Sequence, residues 1–262
     1  LAILPAALAQ QASWESLRLD ELLVEAQANN PQIRAAKERW QAARQRIPQA
    51  SALPDPTVGY TIMGPDFIET RTGPQDQVFE AEQMVPFPGK LWEKHRMAVA
   101  EAKAAQAQLT AVERDVILKV SEAYDDLYAI DATLQVVEEL RETLKKFEGI
   151  TQARYASEGG SQRDVAKAQA EVSDTLQRLF VLRQQRQTLA ALLNALLDRD
   201  PRAPVGRLVR PAVPALSLTV EQLLELARQH RPELNEASAM LQRGRHAHTL
   251  AKFEYMPDLS VG

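Results

Sequence analysis

The sequence predicts a mainly α-helical protein with a small β part, organised around one long antiparallel helical hairpin. Three observations predict it. Two long stretches, between Gly89 and Gly149 and between Gly160 and Pro201, contain neither glycine nor proline, the residues least compatible with a helix interior. Two short segments near residues 57–62 and 79–85 alternate apolar and polar side chains at period two, as a half-buried strand does. A segment near the start of the chain also recurs near its end.

The hairpin comes first because it sets the scale. At 1.5 Å per residue its first arm would extend roughly 85–90 Å, far beyond the 8–20 residues of an ordinary globular helix. A membrane-spanning helix is excluded, since no 18-residue apolar run occurs. Ala, Leu, Gln, Glu, Lys and Arg dominate, with only 10 glycines and 5% aromatics, which is coiled-coil composition. The net charge of −4 gives no basic face for nucleic acid. With no cysteine there is no disulfide framework, thiolate metal site or thiol nucleophile.

In chain order, residues 1–9 (LAILPAALA) read as the tail of a secretory signal peptide, apolar and ending in a small-x-small site. Residues 10–53 predict two N-terminal helices. The first covers residues 17–28, with Leu19, Leu22, Leu23 and Ala26 on one face; the second opens at Pro31 and runs to about Leu53. Residues 54–88 predict a strand pair. Val58, Tyr60 and Ile62 alternate with Thr57, Gly59 and Thr61; Phe79, Ala81 and Val85 alternate with Glu80, Glu82 and Met84. Pro86 and Pro88 end the second strand, and Gly89 is expected to supply a permissive turn.

Residues 89–200 form the hairpin, with its tip near residues 155–164. Apolar residues recur at steps of three and four through Leu109, Val112, Val116, Val120, Ala123, Leu127, Ile130, Leu134 and Val137. The return arm carries Val165, Ala168, Val172, Leu176, Leu179, Leu182, Leu189, Leu193 and Leu196. Irregular steps interrupt the heptads, so the supercoil should not be uniform. At the tip, Ser161 and Asp164 have capping-box spacing, and Gly159 and Gly160 are expected to take positive φ. Residues 201–216, with four prolines, predict an extended strap.

Residues 217–262 open a second copy of the first segment. DELLVEAQANNPQI (20–33) matches EQLLELARQHRPEL (221–234), and LPDPTVG (53–59) recurs as MPDLSVG (256–262). Thr219 and Gln222 are placed to cap the second copy's helix. A repeat of about 200 residues is a duplicated domain, well above the length of a solenoid unit. The chain therefore reads as one complete repeat and the opening of another.

With the helix–NP–helix–LPDP–strands–PFPGK–hairpin unit duplicated and RYASEGGSQRDV at the tip, the chain resembles the TolC-type outer membrane factor family over residues 10–262. QMVPFPGK (83–90) and GSQRDV (160–165) are most similar to its heavy-metal branch, serving cobalt–zinc–cadmium and copper–silver efflux. Members of the family commonly carry glycine at the third position after the tip aromatic. Here Glu158 stands there, after Tyr155. The resemblance implies a homotrimer in outer membrane lipid: its strands form a β-barrel and its hairpins a periplasmic α-barrel. The partners it implies are a periplasmic adaptor and an inner-membrane RND-type pump.

No catalytic constellation, cofactor site or metal site emerges. His246 and His248 lie two apart, on different helix faces, and are expected on a solvated surface beside His95 and His230. The tip residues Glu158, Gly159, Gly160, Ser161, Gln162 and Asp164 are the candidate adaptor-docking point, with Arg154 near enough to pair with Asp164. Glu80 and Glu82 are candidates to face a barrel lumen if Phe79 and Ala81 face lipid. The expected function is a passive exit duct, with no reaction catalysed. The rival readings are a periplasmic adaptor, which should show glycine-rich strands flanking the hairpin, and a structural coiled coil, which leaves the strands unexplained.

Overall fold

The computed structural model describes residues 17–62, 69–70, 73–74, 77–157, 159–210 and 217–262; residues 1–9 and 211–216, for which a signal peptide and part of the strap are expected, lie outside them. The elements are α1 (Leu19–Asn29), α2 (Pro31–Ala50), β1 (Thr57–Ile62), β2 (Glu69–Thr70), β3 (Gly73–Pro74), β4 (Gln77–Val85), α3 (Pro88–Ala156), α4 (Gln162–Leu196), α5 (Val220–His230), α6 (Pro232–Phe253) and β5 (Leu259–Val261). They form two compact units, Leu1–Arg34 with Glu113–Ser217, and Ala35–Val112 with Leu218–Gly262. No helix among the described residues is long and apolar enough to cross a membrane.

In the first unit the outer half of α3 returns as α4, and the expected stripe supplies the core. Val116, Val120, Ala123, Leu127 and Val137 are buried on one arm, and Ala168, Val172, Leu179 and Leu193 on the other. Leu176 departs from the expectation. It is exposed, and Thr175 is buried in its place, its hydroxyl donating to the Glu171 carbonyl at 2.8 Å. That back-bond satisfies the one polar atom that would otherwise oppose burial. Hydroxyls do the same along both arms: Ser121 to Ile117, Thr133 to Ala129, Thr143 to Glu139, Ser173 to Gln169 and Thr188 to Gln184.

Helix α4 ends with Asp198 at φ 59°. The Arg199 N–H reaches the Asn194 carbonyl and the Asp198 N–H the Ala195 carbonyl, at 2.9 and 3.3 Å, the paired bonds of a Schellman ending. The strap that follows is anchored. Asn194 Nδ2 donates to the Ala203 carbonyl at 2.8 Å, and Tyr124 Oη lies 3.0 Å from the Leu17 carbonyl and 2.5 Å from that of Val209. Leu17, expected in the first helix, instead forms a parallel bridge with Leu208. Its N–H and C=O are taken by the Arg207 carbonyl and the Val209 N–H, so neither is free to start a helix.

The second unit packs small residues: Ala36, Ala43, Ala100, Ala104 and Ala239 are buried. Helix α2 stops at Ala50, short of Leu53. Pro48 lies in its last turn, and the Ser51 and Ala52 N–H groups close back three residues onto Pro48 and Gln49. The three strands form an antiparallel sheet in the order β1-β4-β5. β1 pairs with β4 from Thr57↔Glu82 to Ile62↔Gln77, and β4 pairs with β5 through Gln83↔Val261, Met84↔Ser260 and Val85↔Leu259.

The PFPGK segment packs where β5 begins. Gly89 is not a turn: it lies in the first turn of α3, and a Cβ there would lie 2.9 Å from the Phe253 ring. Phe87 and Phe253 stack at 5.8 Å. Lys90, buried, donates from Nζ to the Met256 carbonyl and to Asp258 Oδ1, both at 2.9 Å. Asp258 also accepts the Phe87 N–H at 2.9 Å. These donors, the lysine foremost, hold the Asp258 carboxyl below its usual pKa.

Candidate functional site

The hairpin turn is built from backbone closure and close approach. Beyond Ala156 the Ser157 N–H returns to Ala153 and the Gly159 N–H to Arg154. Neither Gly159 nor Gly160 takes a left-handed φ, contrary to expectation. Gly160 is needed for space instead: a Cβ would lie 3.0 Å from the Tyr155 nitrogen and 3.2 Å from the Arg154 carbonyl carbon. Ser161 is the N-cap of α4 and its Oγ accepts the Arg163 N–H at 3.1 Å. The full reciprocal box forms at α5, where Thr219 and Gln222 exchange both bonds. Ser161, Gln162 and Asp164 are exposed; Glu158 lies outside the described residues.

A groove of about 530 Å³ opens between the arms just behind this turn. Leu144, Phe147 and Ile150 supply an apolar wall, and Arg154, Asp164, Lys167 and Glu171 a charged rim. Phe147 and Ile150 are each 53% exposed. Arg154 and Asp164 line the groove together, but among the described residues no ion pair joins them. The apolar wall escaped the sequence reading. Its one signal was the irregular spacing of the apolar steps along the first arm.

In the strand region Phe79 stacks on Tyr60 at 4.5 Å, and Ala81 faces Val58 across the ladder. Glu80 and Glu82 stand opposite Gly59 and Thr57 on the alternate face, both exposed. One face is thus aromatic and aliphatic, with Phe79 and Val58 each 77% exposed, and the other is acidic.

His246 is only part-exposed. Its Nδ1 lies 2.7 Å from Oε2 of the buried Glu93, which Arg96 also approaches. The pair joins helices far apart in sequence, so no local pattern announced it. Among the described residues, no group of three His, Cys, Asp or Glu is placed to hold a metal ion.

The described residues thus combine a long helical hairpin with an amphipathic strand ribbon, and the helices and strand that open the chain recur at its end. Residues 22–198 match the outer membrane efflux protein family, and the chain belongs to it. That family consists of channel proteins, which catalyse no reaction. No curated protein matches the chain. In fold it is similar to the outer membrane protein VceC of Vibrio cholerae (TM-score 0.73, 19% identity, covering 92% of this chain and 60% of that one). It is also similar to the outer-membrane channel OprN (0.77, 19%, 92% and 57%). CusC, described with conformational changes that accompany folding and transmembrane channel formation, is a third such structure (0.73, 19%, 92% and 58%). The chain spans 57–60% of the length of these three.

Proposed function

We propose that the protein is the outer membrane exit duct of a tripartite efflux system, a passive path through which metal ions or small toxic compounds leave the cell. The observation that carries this is the family match over residues 22–198, which takes in both arms of the hairpin. In this reading three copies of the whole protein assemble. The strands close a barrel, which leaves no unpaired edge in lipid, and the hairpins line a periplasmic tunnel. Phe79, Tyr60 and Val58 face lipid, and Glu80 and Glu82 face a cation-tolerant lumen.

The tip groove is where a periplasmic adaptor docks, coupling the duct to an RND-type inner-membrane pump. Apolar Phe147 and Ile150 beside a charged rim supply the mixed surface that helix-in-groove recognition uses. The heavy-metal branch is favoured by QMVPFPGK and GSQRDV.

The test is the native mass and heat-modifiability of the full-length protein in detergent, with metal and drug tolerance in a strain lacking its own duct. A heat-dissociable trimer that restores tolerance to cobalt, zinc, cadmium, copper or silver is the expected result. A soluble monomer would remove the duct. A trimer restoring only drug tolerance would remove the metal assignment.

A further inference from the structure

The second unit concentrates positive charge beneath its sheet, in a chain whose net charge is −4. Residues 88–100, which open α3, and 241–253, which close α6, hold Lys90, Lys94, Arg96, Arg243, Arg245 and Lys252 against one carboxylate, Glu93. Glu93 is buried and already engaged by His246 and Arg96. Lys90 is taken up by Asp258. Arg243 is taken up by Glu101, which lies 3.4 Å from it and 3.7 Å from Arg46 and so marks one face of the α2–α3–α6 layer. Trp92 stands nine residues from Glu101, and Lys252 nine from Arg243; two and a half turns carry both to the opposite face. Arg96 lies one turn from Trp92 and Arg245 two turns from Lys252, on that same side. All four side chains are exposed, Trp92 by 60%. The Arg96 guanidinium sits 5.1 Å from the Trp92 ring centroid. The side chains of Arg245 and Lys252 have no hydrogen bond or ion pair among the described residues.

We propose that this face, through Arg245 and Lys252 with Trp92 and Arg96 beside them, binds the phosphates of anionic phospholipid in the periplasmic leaflet of the outer membrane. The inference rests on the outer membrane reading above, and adds to it a lipid of stated charge and the residues that hold it.

Level, charge and the exposed indole select this occupant. Helix α3 begins at Pro88, three residues after β4 ends, and α6 ends at Phe253, six before β5 begins. Trp92 and Lys252 therefore lie within roughly 6 Å of those helix ends, and Arg96 and Arg245 roughly 12 Å from them. A headgroup layer is about 5–8 Å deep on each side of the hydrocarbon core, and Lys and Arg stems lie along apolar surface to carry their charge into it. The charges are complementary. On the face of Glu101 the arginines are answered by that carboxylate, whereas Arg245 and Lys252 have none and match a phosphate surface. Tryptophan is the side chain that settles at headgroup level, its ring half apolar and half polar.

The experiment uses the full-length protein in detergent, titrated with phosphatidylglycerol or, separately, with phosphatidylcholine, the bound lipid being counted by native mass spectrometry. The parent should prefer phosphatidylglycerol and lose that preference as sodium chloride rises. R245Q/K252Q should weaken phosphatidylglycerol binding roughly thirtyfold, each cation near an anionic surface being worth about a factor of five. R39Q/R46Q removes two cations from the face that Glu101 marks and should leave the binding unchanged. Both variants should keep the parent's circular dichroism spectrum. A parent with no preference for phosphatidylglycerol, or with one that salt does not weaken, overturns the proposal whether or not the variants fold. So do equal losses in the two double variants, and so does full binding by R245Q/K252Q. If Arg245 and Lys252 are needed for co-sedimentation with purified peptidoglycan but not for lipid, the face belongs to the cell wall and the proposal fails. A monomer absent from the membrane fraction overturns the duct reading itself, whereas a membrane trimer without the lipid preference overturns only this assignment.

Discussion

Asn30 ties the end of one helix to the start of another: its Nδ2 donates to the Leu196 carbonyl at 2.8 Å, while its Oδ1 accepts the Gln32 and Ile33 N–H groups at 2.8 and 3.3 Å. One buried amide thus caps α2 and satisfies a free carbonyl at the end of α4. Arg34 and Asp198 add an exposed ion pair beside it, at 2.7 Å, which contributes little. The repeat counterpart of Asn30 is Arg231, which makes no side-chain cap. The two repeats have therefore diverged at a structural joint.

Replacing Asn30 by alanine removes the cap and leaves the Leu196 carbonyl without its donor, at a cost of about 2–4 kcal/mol. N30S keeps a capping oxygen and should recover about 1 kcal/mol of that. Thermal unfolding followed by circular dichroism checks both. Equal losses in the two variants would mean the cap contributes nothing.

Tyr124 holds the strap through its hydroxyl. Y124F should cost about 1–3 kcal/mol, since it takes the phenol donor from the buried Leu17 carbonyl and the part-buried Val209 carbonyl. It should also speed trypsin cleavage after Arg207, the strap arginine not followed by proline at this anchor. Burial, first among its causes, raises the phenol's pKa above 10.0. The neutral form is therefore favoured in the fold. Its stabilisation is fully present below about pH 10 and is lost as pH rises through the raised folded value.

Asp258 predicts the opposite limb. Its folded pKa is depressed below 3.8, chiefly by the Lys90 hydrogen bond. Its contribution is complete above about pH 4 and disappears as pH falls through the depressed value. D258N should thus be less stable than the parent near neutrality and converge with it in strong acid. A constant difference across the whole range would show that the carboxylate charge is not what Lys90 needs.

At the tip, G160V forces a side chain onto backbone atoms of Arg154 and Tyr155. It should unwind the last turn of α3 and abolish adaptor-dependent efflux while the trimer survives. Gly149, six residues before Tyr155 on the same helix, would meet nothing within 4 Å. G149A should therefore stabilise the helix by about 0.5–1 kcal/mol and leave efflux intact. Metal or drug tolerance, with trimer content on gels, reads both variants. Wild-type tolerance in G160V would detach the tip from docking.

What the sequence made legible was local. Pro31 opens α2 because its fixed φ and missing N–H suit a first helical turn. The Thr219–Gln222 box and the β1–β4 ribbon were likewise readable, since both depend on neighbours within a few residues or on period two. The glycines were found but misread. Gly89 and Gly160 are demanded by close approach, and a glycine kept for clearance looks the same in sequence as one kept for positive φ. Leu17 with Leu208, Glu93 with His246 and Lys90 with Asp258 join residues far apart along the chain. No periodicity encodes such partners. Thr175 displaced Leu176 because the stripe slipped by one residue, and a hydroxyl that bonds its own helix is cheap to bury.

The serine and threonine hydroxyls that share carbonyls along α3 and α4 have a mechanical consequence. Each adds a second donor to a carbonyl already in the helix ladder, which slightly bends and loosens that turn. Between Lys90 and Glu148 there is no proline or glycine to concentrate bending at one point, and sharp kinks need such a point. Deformation is instead spread over many turns, each yielding a little. The arms behave as a graded spring, able to tighten or relax along their length without a hinge.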